Sequence, residues 1–333
     1  MFALSTAYFT LREAELSGEA IAREALGLGF RKLEFDYRLS KAQLRTLEPL
    51  VGRGKVEVVS VHHPFPRPPG VPPAHAHTRG PTFASLDRRE RRAAVAAGAE
   101  TLARAADLGA GVVVLHLGAV RLPPEIDARE LEERVREGQR ETPEYETLLA
   151  AVTAARRSRA GAHLDAVLSS LDRLAGEAQR RGVRLGLENR YHADEVPDRE
   201  ELLAIFGALD GAPLGYWHDT GHAASLVALG VLASQTQVLE ACPEKVVGFH
   251  LHDARGLDDH LAPGEGELDF TVLAPFVLPD VPLVLEVHPR SAPEALLRGR
   301  AVLTEAGLAK GGAEQSQRPE NFSNRPLVSE RLR

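Results

Sequence analysis

The sequence predicts an α/β chain folded as a closed TIM-type (β/α)8 barrel with a helical insertion and a disordered C-terminal tail. Eight short apolar runs, near residues 2, 32, 56, 112, 183, 214, 246 and 283, recur along the 333 residues. Most are separated by segments with apolar residues at helical spacing, the alternation that a parallel sheet wrapped in helices requires. Six of the eight runs end in a histidine, aspartate or glutamate. In such a barrel the C-terminal strand ends share one mouth, so these side chains converge although they lie far apart in sequence.

Taken in order, residues 2–5 form a short apolar start, and a helical pattern from about 11 to 28 closes at Gly29. Residues 32–37, KLEFDY, alternate polar and apolar as a strand does, and a helix is expected over 41–51. The β-branched run 56–61 ends in His62 and His63. The proline-rich segment 64–81, which carries His75 and His77, is neither regular helix nor central strand and reads as a loop: a lid, a substrate contact or a disordered insertion. A long helix over 86–108 leads to the strand 112–115 and His116. Residues 123–161 break the rhythm as a charged, helix-forming insertion, with Arg156, Arg157 and Arg159 expected on a solvated face.

The pattern resumes as a helix over 163–181, closed by Gly182, and the strand 183–187 runs into Glu188, Asn189, Arg190 and Tyr191. Asp198 reads as the N-cap of a helix to Leu209. The run 214–217 leads into His218, Asp219, Thr220, Gly221 and His222, followed by a helix over 223–239. The densest stretch is 246–270: a buried strand, then His250, His252 and Asp253, then a loop with Asp258 and His260 before a Pro-Gly-Glu-Gly turn. The last strand, 283–285, ends in Glu286, Val287 and His288, with a helix over 293–306. The barrel is thus expected over 1–309, with the insertion at 123–161, and the aperiodic polar residues 310–333 as a disordered tail.

Hydrophobic residues at 44% and charged residues at 26% are ordinary for a soluble globular protein. A net charge of -7 argues against a broad nucleic-acid-binding surface, while leaving room for a local basic groove. Cys242 is the sole cysteine, so no intrachain disulfide forms and a reducing compartment suits the chain. Without a signal-peptide pattern or an apolar run of spanning length, a cytoplasmic location is expected.

The candidate ligands are His62, His116, Glu188, Asp219, His222, His250, Asp258, His260 and Glu286. An isolated strand-end histidine is more often hydrogen-bonded within a fold than bound to metal, but that explanation would have to hold on six strands at once. Imidazoles and carboxylates together suit zinc, manganese, cobalt or iron, rather than magnesium or calcium. Glu188, Asp219, His250 and Glu286 are the leading ligands, and His222 stands three residues after Asp219. His62, His116, Asp258 and His260 are open between ligand, helper and substrate contact. His63, His218, His252 and His288 sit next to or two residues from chosen positions, and a one-residue error would exchange them. No serine-nucleophile turn appears, Cys242 has no evident base, and Gly264-Glu265-Gly266 lacks phosphate-cradling spacing.

The motifs LGLENRY at 185–191, HDTGHA at 218–223 and HLHDARGLDDHLAPGEGELDF at 250–270 resemble the xylose-isomerase-like TIM barrels. The resemblance spans residues 1–306, with the 123–161 insertion outside it. In the sugar isomerase and epimerase branch it implies one divalent ion on Glu188, Asp219, His250 and Glu286. There the two glutamates act as acid/base partners and His222 contacts the substrate, and His62 and His116 are taken with it as substrate-binding candidates. In the branch of endonuclease IV type apurinic/apyrimidinic endonucleases it implies three zinc ions over all nine positions. Gly221 stands where endonuclease IV proteins typically have cysteine, and the HLHDARG loop is closer to the isomerase group. The expected function is therefore a divalent-metal-dependent isomerase or epimerase of a sugar or sugar phosphate. The alternatives are a multi-zinc phosphodiesterase and a metal-stabilised binding barrel without turnover, against which the retention of both glutamates argues. Neither membrane nor nucleic acid is expected as a partner, and a homo-oligomer is compatible with the composition.

Overall fold

The computed structural model describes residues 2–73 and 82–308. Eight strands form a closed barrel: β1 (Ala3–Ser5), β2 (Lys32–Phe35), β3 (Glu57–His62), β4 (Val112–Leu115), β5 (Arg184–Glu188), β6 (Leu214–Asp219), β7 (Val246–Leu251) and β8 (Leu283–Leu285). Every neighbouring pair is parallel, and β1 closes the ring against β8 with Ala3 opposite Val284. All eight predicted runs are barrel strands.

Alternation along each strand divides the apolar residues into two layers. Leu33, Phe35, Val61, Val113, Leu185 and Leu187 face outward and pack under the helices. Ala3, Val112, Val114, Trp217, Val247 and Val284 face inward and fill the barrel axis. Trp217 is fully buried, and it fits only because position 248 is glycine: a Cβ there would fall 2.1 Å from its Cζ3. This apolar plug is the floor on which the mouth is built.

The helices are α1 (Ala7–Arg12), α2 (Gly18–Gly27), α3 (Lys41–Gly52), α4 (Arg88–Asp107), α5 (Arg129–Arg136), α6 (Pro143–Arg181), α7 (Arg199–Ala208), α8 (Thr220–Ala228), α9 (Gln237–Ala241) and α10 (Pro293–Glu305). The single helix expected over 11–28 is two, because Ser17 caps α2 by accepting from the Ala20 N–H. Likewise the helix expected over 223–239 stops at Leu229, with Gly230 in the left-handed region at φ 74°. Asp198 caps α7 as expected, in a capping box with Glu201.

Two further expectations are corrected. No boundary exists at Gly161, since α6 runs unbroken for 39 residues from the Thr142 cap to Gly182 at φ 66°. Arg156 does not lie on a solvated face. It is 7% exposed and donates to Asp198 Oδ2 at 2.6 Å, to Glu201 at 3.1 and 2.7 Å, and to the Glu195 carbonyl at 2.7 Å. Its carboxylate partners come from α7 and its cap, more than 40 residues away in the chain, which no local charge pattern reveals. The expected tail at 310–333 and the loop histidines His75 and His77 lie outside the described residues. Among those described, no helix is long and apolar enough to cross a membrane.

Cys242 is buried, its thiol donating to the Val238 carbonyl at 3.4 Å, and burial pushes its pKa up to about 12. A thiol reacts as the thiolate, whose ordinary pKa is ~8.5. Ellman's reagent at pH 8 is therefore expected to leave the folded protein unlabelled and to titrate one thiol per chain in denaturant. Rapid labelling without denaturant would contradict the buried placement.

Candidate metal centre

The strands deliver the candidate ligands by where they end. His62 closes β3, Glu188 closes β5, Asp219 closes β6, and His250 is the penultimate residue of β7. His116 and Glu286 directly follow β4 and β8. Glu188, Asp219 and His250 are fully buried, and Glu286 is 5% exposed. These last four offer ligand atoms that all lie within 4.8 Å of one another. His250 Nδ1 is 3.0 Å from Glu286 Oε2, 3.3 Å from Glu188 Oε1 and 3.6 Å from Asp219 Oδ2.

Glu188 also belongs to a second group. Its Oε2 lies 2.8 Å from His116 Nε2 and 3.3 Å from His62 Nε2. Hydrogen bonds decide which ring nitrogens carry protons. His62 Nδ1 is 3.0 Å from the His63 carbonyl and donates to it, so Nε2 is the nitrogen turned to Glu188. His116 Nε2 accepts from Arg190 Nη1 at 2.6 Å. Burial, reinforced by the neighbouring Arg190 charge, drives His116 well below the ordinary histidine pKa, so its ring is neutral. Glu188 Oε2, buried, has no hydrogen-bond donor. His62 Nε2, His116 Nε2 and Glu188 Oε2 thus converge at one side of the mouth and could together hold a cation, with the Arg190 guanidinium against His116.

The other ligands are held as deliberately. His252 Nδ1 accepts from the His260 N–H at 2.8 Å, so its proton sits on Nε2 and is donated to Asp219 at 3.0 Å. Asp219 also caps α8, accepting from the His222 N–H at 2.7 Å. Burial opposes ionisation of Asp219, but His222 and His252 more than offset it and hold the carboxyl well below its usual pKa. Glu188 is likewise held well below the carboxylate range, burial being outweighed by the surrounding histidines, among them His250 and His222. Carboxylates ionised at such depth, set among imidazoles, are a donor set that fits a divalent transition metal.

A third group is His222, Asp259 and His260. Here Asp258 is corrected: it lies on the surface, ion-paired with Arg290, and Asp259 takes its place with Oδ1 at 2.9 Å from His260 Nδ1. The two aspartates sit in an antiparallel hairpin (Asp253–Arg255 with Asp258–Leu261), where one residue of register reverses the face. The remaining eight predicted residues do converge on the mouth.

Sequence reasoning missed Glu34, Arg190 and His252. Glu34 is fully buried on β2, both carboxylate oxygens facing His250 Nε2. Its signal was the KLEFDY alternation: with helices outside the barrel, Leu33 and Phe35 face the helices and the polar positions between them face inward. Gly221 leaves the gap into which His252 packs, since a Cβ there would lie 2.1 Å from His252 Cε1.

Residues 22–306 match the family model described as xylose isomerase-like TIM barrel. No curated protein matches the chain. Among solved structures, a D-tagatose 3-epimerase-like protein is 22% identical with a TM-score of 0.64, covering 92% of this chain and 96% of its own. The 3-keto-D-glucoside 4-epimerase of E. coli in its apo form is 16% identical at a TM-score of 0.60, over 87% and 94% of the two chains. A Thermus thermophilus protein, solved with ZnCl2 soaking, is 26% identical at a TM-score of 0.54, over 91% and 97%.

Proposed function

The chain belongs to the xylose isomerase-like TIM-barrel family, and from that membership we propose that it is a divalent-metal-dependent isomerase or epimerase. Its substrate is a sugar or sugar phosphate from which it moves a proton next to a carbonyl. The observation that carries this reading is the pair Glu188 and Glu286, brought from different strands to within 3.3 and 3.0 Å of the same His250 nitrogen. Two carboxylates flanking one pocket are what removal and return of a carbon-bound proton require.

A divalent ion on Glu188, Asp219, His250 and Glu286 supplies electrophilic polarisation of the substrate oxygens next to it. One glutamate takes the proton as the C–H bond breaks and its electron pair moves toward the carbonyl oxygen. The other glutamate returns a proton, on the opposite face for epimerisation or at the neighbouring carbon for isomerisation. His62, His116 and His222 line the same mouth and position the sugar hydroxyls. The names of the epimerases among the structural neighbours agree with a sugar as substrate. A cytoplasmic location is retained in this proposal, supported by the single buried cysteine.

The test is wash-in of deuterium. Ketoses and their phosphates incubated in heavy water with the Mn2+-loaded protein are expected to acquire deuterium at a single carbon, read by NMR. The sharing of Glu188 between two ligand groups favours one second reading, a multi-metal phosphodiesterase. Absence of exchange across the panel together with cleavage of abasic-site DNA, and three ions per chain rather than one, would move the assignment there.

A further inference from the structure

We propose that Glu34 is a positioning residue of the metal centre: it holds His250 as the Nε2–H tautomer and so presents the Nδ1 lone pair to the ion. The proposal rests on reading Glu188, Asp219, His250 and Glu286 as a metal site, and it adds a fifth strand to that site's support.

Glu34 and His250 come from β2 and β7, which are not neighbours in the barrel, so the contact crosses the interior. Glu34 Oε1 and Oε2 lie 3.1 and 3.0 Å from His250 Nε2. Ser60, on β3, donates its hydroxyl to Glu34 Oε2 at 2.9 Å. Both Glu34 and Ser60 are fully buried. A carboxylate at that depth is costly unless donors satisfy it, and the donors on hand are the Ser60 hydroxyl and the His250 Nε2–H.

The consequence for His250 follows from its having two ring nitrogens and, when neutral, one proton. With one proton held on the Glu34 side, Nδ1 is the nitrogen that faces Glu188, Asp219 and Glu286, and it is the one freed to coordinate when an ion displaces the proton it shares with those carboxylates. Trp217 packs edge-on against the ring at 5.0 Å between centroids and blocks it from turning. Glu34 is thus the outer carboxylate of a carboxylate–histidine–metal relay, which orients the ring and raises the basicity of its coordinating nitrogen. A carboxylate serving only to fill the interior would have no reason to match the imidazole nitrogen with both oxygens.

Calorimetric titration of the metal-free full chain with Mn2+ alone tests this. Glu34→Ala is expected to weaken Mn2+ binding roughly 10- to 100-fold with unchanged stoichiometry. Glu34→Gln recovers part of that loss, because its amide oxygen still accepts the Nε2–H. In a His250→Ala background the Glu34→Ala change has little further effect, since the relay has already been cut. If Glu34→Ala fails to fold, Glu34→Gln decides alone, with an expected weakening of roughly threefold or more while thermal stability changes little. Wild-type affinity in a folded Glu34→Gln or Glu34→Ala protein overturns the role of Glu34 and leaves the metal site standing. No Mn2+ binding by the wild-type chain overturns both.

Discussion

Glu188→Gln is expected to abolish metal uptake and turnover together. The substitution keeps the shape of the side chain and removes its charge. Glu188 belongs to two of the candidate ligand groups, with Oε2 facing His62 and His116 and Oε1 facing His250 and His222. An amide turns one of those faces into an N–H2 donor aimed at nitrogen lone pairs, which then hydrogen-bond the amide instead of an ion. Loss of a general acid/base alone lowers rates by roughly 10²- to 10⁴-fold, and loss of the ion adds to that. Elemental analysis and the deuterium assay measure the two effects separately. Asp258→Ala is the matched control, because Asp258 lies on the surface against Arg290 and should leave both readouts unchanged. Wild-type metal content and exchange in Glu188→Gln would remove Glu188 from the site.

The largest structural effect is expected at Arg156. Arg156→Met leaves Glu201, whose side chain is 7% exposed, buried without its partner. Breaking one member of a buried ion pair costs roughly 3–5 kcal/mol, mainly through the stranded charge. For a chain of 333 residues each kcal/mol lowers Tm by about 1.5 °C, so a drop on the order of 5 °C should appear in calorimetry. Adding Glu201→Gln to Arg156→Met should restore part of the loss, since it neutralises the stranded group. Because Arg156 ties α6 to α7, we expect the whole unfolding transition to shift, with segment 123–161 melting as part of the barrel. A loss under about 1 kcal/mol, the range of an exposed pair, or a separate early transition would contradict this.

What the sequence made legible is what depends on local order. A strand buried on both faces must be a short apolar run, and a ligand at its C-terminal end is the first polar residue after it. His62, His116, Glu188, Asp219, His250 and Glu286 were therefore readable one strand at a time. Glu34 was not, because an acidic residue alternating with Leu33 and Phe35 looks like the solvent face of a half-exposed strand. Only closure of the barrel turns that face inward. Asp258 and Asp259 differ by one residue of register in a hairpin whose pairing is irregular, and no pattern separates two adjacent aspartates. Arg156 carries the same lesson for helices: its carboxylate partners lie 42 and 45 positions further along the chain, so its burial is invisible in its own turn.

The plug formed by Trp217 and its apolar neighbours has a bearing on proton traffic. Among the described residues the axis below His250 is filled, so exchange with solvent runs through the mouth and not through the barrel's far end. On the proposed mechanism, a proton lifted by Glu188 or Glu286 therefore has two fates, return to the substrate or loss to solvent through the mouth. The ratio of the two, readable as deuterium washed in per turnover, becomes a gauge of how well the mouth is sealed while substrate is inside. Changes to the loops around the mouth should move that ratio, and changes at the opposite end of the barrel should not.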